Sequence, residues 1–139
     1  MKKLTLILTT LLFVTGFAAN AQEGKAAATP APKIYAVVNR ANWCTVCKEN
    51  GQRAGMVLGS YVPKGISIVM NDLTDKTTAH ASKAALKKEG LYAAVSEEKA
   101  TGVVTFVDAA TKKKIKTISI AENDEKLKAD INSILNGSK

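Results

Sequence analysis

Ile34-Tyr35-Ala36-Val37-Val38-Asn39-Arg40-Ala41-Asn42-Trp43-Cys44-Thr45-Val46-Cys47-Lys48 is the stretch on which the fold turns. Ile34 to Val38 is a short apolar run rich in β-branched residues and reads as a buried strand. A short polar loop follows, and after Cys47 the apolar spacing changes to a helical period. The two cysteines therefore sit where a strand feeds the N-terminus of a helix. Orphan N–H groups and about +0.5 of partial charge there favour a thiolate over a thiol. A cysteine whose pKa is lowered in this way is a nucleophile at neutral pH. The second cysteine lies one helical turn further on, within reach of a disulfide with the first.

Trp43, Cys44 and Cys47 resemble the active site of the thioredoxin superfamily, Trp-Cys-x-x-Cys at the end of a strand and the start of a helix. The resemblance extends over most of the chain from Lys33 onward. It implies an α/β fold of order β-α-β-α-β-β-α, with a four-stranded mixed sheet and helices on both faces. It also implies that Cys44 and Cys47 exchange disulfides, with Trp43 packed beside them. Two departures from the family pattern stand out. A proline in a cis peptide normally faces the cysteine pair from the start of the third strand. In Gly102-Val103-Val104-Thr105, Val104 is expected at that position, in a trans peptide, because a cis bond before any other residue costs about 2.5–4 kcal/mol. The buried acid of the first strand is replaced by Val38. Arg40 lies nearby, and a cation close to Cys44 would favour its thiolate.

The rest of the chain supplies the remaining elements. From Cys44 to about Val62 the helix is amphipathic, with Cys47, Gly51, Ala54, Gly55, Leu58 and Tyr61 on one arc. Lys48, Gln52 and Arg53 fall on the other. Gly51, Gly55 and Gly59 recur every four residues, and each interior glycine costs the helix about 0.8–1.0 kcal/mol relative to alanine. That spacing predicts a close approach of helix to sheet. Ile66–Met70 reads as the second strand, and residues 77–89 as an alanine-rich helix stopped by Gly90. A short helical turn is expected within 91–99. Val103–Val107 and residues 114–120 read as a hairpin, and a last helix begins at Asn123 or Asp124 with the stripe Leu127, Ile131, Ile134 and Leu135.

Ahead of this domain, Lys2 and Lys3 precede a mostly apolar run, Leu4 to Phe17, and the small residues Ala19 and Ala21 flank Asn20. This is the pattern of a secretory signal peptide over residues 1–21, cleaved before Gln22. Residues 22–32, with two prolines and many alanines, read as a flexible leader, and 33–139 as one thioredoxin-like domain. Cleavage leaves 118 residues and takes the formal charge from +8 to +6. The expected location is periplasmic or secreted, an oxidising setting for a cysteine pair.

With only two cysteines and one histidine, the chain falls short of the four ligands of a structural zinc site. His80 is expected to face solvent. Lys48 follows Cys47 where covalent haem attachment needs histidine. A disulfide closing so short a loop does little to staple a fold, so chemistry is the better reason for the pair. The expected activity is thiol–disulfide exchange, with Cys44 attacking, Cys47 resolving and no cofactor. Its partners are then protein thiols or disulfides, and a redox partner that recharges the dithiol. Two other functions suit the same residues: a soft-metal carrier holding copper between two thiolates, and a redox-inert binding module. The positive balance reads as a lysine-rich solubilising surface and not a nucleic-acid site, because no aromatics are interleaved with the lysines. A soluble monomer is expected.

Overall fold

The computed structural model describes residues 31–137. The signal-peptide reading, and the leader apart from its last two residues, fall outside them. Four strands, β1 (Ile34–Arg40), β2 (Ile66–Asp72), β3 (Val103–Asp108) and β4 (Lys114–Ser119), form one sheet in the order β2-β1-β3-β4. β1 pairs parallel with β2, while β3 runs antiparallel to both β1 and β4. The helices are α1 (Thr45–Gly59), α2 (Lys76–Lys88), α3 (Tyr92–Val95) and α4 (Asp124–Gly137). The element order is the expected β-α-β-α-β-β-α, with α3 as the short extra turn.

Alternation along β1 sorts the core into two halves. Ile34, Ala36 and Val38 pack with Ile66, Val104, Phe106 and Ile118 under α1 and α4. Val37, with Val107 on the same face, packs against Leu86, Leu91 and Val95 from α2 and α3. The sheet is thus covered on both faces, which is why its central strands read as nearly continuous apolar runs.

Local chemistry sets the helix ends. Asp75 caps α2: its carboxylate accepts the Thr78 N–H at 2.9 Å, and the Thr78 hydroxyl accepts the Asp75 N–H at 3.1 Å. Asn123 does the same work for α4, accepting the Lys126 N–H at 2.9 Å. Arg53, expected on the outer face of α1, instead ties that helix to the start of α4. Its guanidinium pairs with Asp124 at 2.5 Å and donates to the carbonyls of Ile120 and Glu122 at 2.6 and 2.9 Å. The close approach expected at the α1 glycines is not found. A Cβ built on Gly51, Gly55 or Gly59 meets no heavy atom within 4 Å beyond its chain neighbours and the helix's own backbone. His80 is exposed on α2, as its surroundings of alanine and lysine suggested.

Candidate active site at the strand–helix junction

β1 ends at Arg40, and Ala41 to Trp43 form the link to α1. Cys44 is the N-cap of that helix: its Sγ accepts the backbone N–H of Cys47 at 3.1 Å. Cys44 and Cys47 are joined as a disulfide, with Cα atoms 5.2 Å apart. One orphan amide of the first turn therefore points at the Cys44 sulfur, and the helix dipole adds to it. Both effects favour negative charge on that atom after reduction. Cys44 is nevertheless the less exposed of the two residues. It is only 5% exposed, whereas Cys47 is half-buried and lines an open groove. This is a thioredoxin-like fold.

No protein-family model matches the sequence, and no curated protein matches it. Several solved structures are similar in shape. They include Trxlp from Edwardsiella tarda EIB202 (12% identity, 70% of this chain and 81% of that one, TM-score 0.49). Thioredoxin from Fasciola hepatica matches at 12% identity over 78% of this chain and 84% of its own, with a TM-score of 0.47. Thioredoxin from Malassezia sympodialis matches at 14% identity over 79% and 80%, with a TM-score of 0.45.

The start of the third strand lies close to the dithiol. Val104 lies fully buried in the main core, paired with Val38 and Ile118 across the sheet. Gly102, two positions earlier, also lies against the pair. A Cβ there would stand 3.6 Å from Cys44 Sγ and 2.8 Å from Val46 Cγ1. Its φ of +76° is left-handed, so both space and backbone demand glycine. No cis peptide occurs among the described residues.

Arg40 sits at the end of β1 beside the site. Its guanidinium pairs with Asp72 at 3.5 Å, and the residue lines the groove beside Cys47. The Asp72 carboxyl is held below the ordinary carboxylate range, first by hydrogen bonds from Thr74 and then by Arg40. Trp43 is 59% exposed, and its indole N–H donates to the Thr74 carbonyl at 3.0 Å. The Asn42 N–H donates to the Thr74 hydroxyl at 3.0 Å. The β2–α2 loop thus fixes the segment leading into Cys44 and leaves the indole face open.

A buried polar clamp was not legible in the sequence. Asn39 is 1% exposed, and its side-chain amide donates to the carbonyls of Glu98 and Ala100, both at 3.1 Å. Its backbone carbonyl accepts the Gly102 N–H at 2.8 Å. Asn71 orients the amide by donating to Asn39 Oδ1 at 2.8 Å. One β1 residue therefore holds the whole loop that delivers Gly102 to Cys44. The available signal was a lone polar residue at the end of an apolar strand, and such a residue, if buried, must find partners.

Beside the dithiol, a groove of about 370 Å³ runs between α1 and the β1–β2 side of the sheet. Cys47, Gly51 and Gly55 form its helix wall, and Val38, Ile68 and Met70 form its sheet wall. Among the described residues no three His, Cys, Asp or Glu side chains gather as a metal site. None of the described helices is long and apolar enough to cross a membrane.

Proposed function

We propose that the protein is an exported thiol–disulfide oxidoreductase acting through Cys44 and Cys47. The observation that carries the reading is the Cys44 sulfur at the N-cap of α1, in a disulfide with Cys47 and accepting its N–H. In the reducing direction, the Cys44 thiolate attacks one sulfur of a substrate disulfide. A Cys44–substrate disulfide forms, and the other substrate sulfur leaves as a thiolate that takes a proton. The Cys47 thiol loses its proton and attacks Cys44 Sγ, releasing the second substrate thiol. Two electrons have then passed to the substrate, and a dithiol donor must reduce the protein again. The oxidising direction is the same sequence reversed. Arg40 and Trp43 border the site, and Gly102 lets the loop lie against Cys44.

Export is supported by Lys2 and Lys3, the apolar run after them and Ala19-Asn20-Ala21. The reading places the mature protein in the periplasm or outside the cell, as a soluble monomer beginning at Gln22. N-terminal sequencing of the processed protein checks the cleavage. The chemistry is tested by timed alkylation of the reduced protein near neutral pH. Cys44 is expected to label before Cys47, and Cys47→Ser to trap a mixed disulfide that Cys44→Ser cannot form. Faster labelling of Cys47 would reverse the assigned roles. Absence of exchange with any disulfide would end the reading.

A further inference from the structure

The α1 glycines lack the packing reason that usually explains such residues. All three leave open space where a Cβ would stand. Two of them, Gly51 and Gly55, line the groove beside Cys47, and Gly59 does not. The helix thus forgoes alanine at two positions where alanine would fit, and the result is a wider groove. The sheet wall is apolar, and Met70, 47% exposed, adds a flexible side chain able to adapt to what enters. The rim is cationic: Arg40 and Lys48 belong to the lining, which contains no Asp or Glu. Arg40 is shared with Asp72, while Lys48 has no carboxylate partner among the described residues.

We propose that this groove is a specificity subsite for polypeptides: it receives an apolar side chain next to the reactive cysteine of an acidic segment. The apolar walls select the side chain, and the rim charges select the flanking carboxylate. Exposed Trp43, close to Cys44 in sequence, extends the contact area beyond what a small thiol would cover. The inference rests on the exchange reading for the partner's reactive cysteine, but the fit of the side chain is separable from the redox step.

The test is a binding titration read by fluorescence of Trp43, the only tryptophan. Unreactive probes keep the two questions apart: acidic peptides with serine for the reactive cysteine, and leucine or glycine beside it. The leucine peptide is expected to bind the full-length protein about 10-fold more tightly, which corresponds to about 1.4 kcal/mol. Replacing its acidic residues with lysine should weaken it. Gly55→Leu should abolish the leucine preference, whereas Gly59→Ala, outside the groove, should leave it intact. Equal affinity for the two peptides, or a preference that survives Gly55→Leu, overturns the proposal. Urea unfolding of Gly55→Leu guards against a folding defect, and the Gly51→Ala, Gly55→Ala double variant gives a second, milder closure. Reduction of a small symmetrical disulfide is measured in parallel. Its failure would sink the exchange reading, while the peptide affinities would still decide the subsite.

Discussion

Replacing Asn39 with alanine removes the clamp behind the dithiol. Two hydrogen bonds to the Glu98 and Ala100 carbonyls disappear, and the Asn71 amide loses its acceptor. A neutral hydrogen bond contributes about 0.5–1.5 kcal/mol net, and a buried donor left unpaired costs about 1–3 kcal/mol. Water can partly reach the two carbonyls, so they belong at the low end, whereas the bond from Asn71 is buried. The sum is a loss of about 2–4 kcal/mol. For a domain of this size that lowers the melting temperature by roughly 10–25 °C. Urea denaturation gives the free energy directly, and a cycle with Asn71→Ala isolates the coupling. Asn71→Ala alone spares both carbonyl bonds and should cost less. The pair should be strongly non-additive, because the double variant leaves no stranded amide. A loss below about 1 kcal/mol for Asn39→Ala, or simple additivity, would refute the clamp.

Gly102→Ala combines a left-handed backbone with a Cβ 2.8 Å from Val46 Cγ1, so a destabilisation of at least about 1–3 kcal/mol is expected in urea melts, together with a changed reduction potential. Arg53→Lys keeps the charge but loses the fork that reaches Asp124 and two carbonyls at once, and differential scanning calorimetry should show a lower Tm. The Asp130 carboxyl is held below the ordinary range by its hydrogen bond from Lys116, aided by Lys126. A depressed folded-state pKa means that the unfolded chain binds the proton more readily. The associated stability is therefore present above the ordinary carboxylate pKa of about 4 and lost as pH falls below it. Asp130→Asn should flatten that acid limb in pH-dependent denaturation and leave its shape above about pH 5 unchanged.

The positions of Cys44 and Cys47 were legible because they depend on local pattern. An apolar β-branched run, a polar link and a change to helical period place a cysteine at a helix start whatever the rest of the chain does. The element order was legible for the same reason, since Gly90, the hairpin turn and the Leu127 stripe are each signals contained within a few residues. The partners of Arg53 were hidden because helical periodicity assigns a face without showing which other element ends there. Its partners lie some 70 positions away in sequence. Asn39 was passed over because a polar residue at a strand end looks the same whether it meets water or a distant carbonyl.

The cysteine-facing loop shows most clearly where local reading stops. The sequence by itself determined that a strand begins near Val103 and that a dithiol caps a helix start. That Gly102 also meets the dithiol was decided by strand register and by the Asn39 clamp on the loop before it. A strand can be recognised from its own side chains, but a shift of two residues leaves its alternation unchanged and preserves the same buried face. Only the pairing of Val38 with Val104, together with the bond from Gly102 to the Asn39 carbonyl, places Gly102 against Cys44. The groove is a tertiary product in the same sense. The glycines that open it were visible at once, but whether they faced a packed sheet or empty space depended on how far α1 stands from β2.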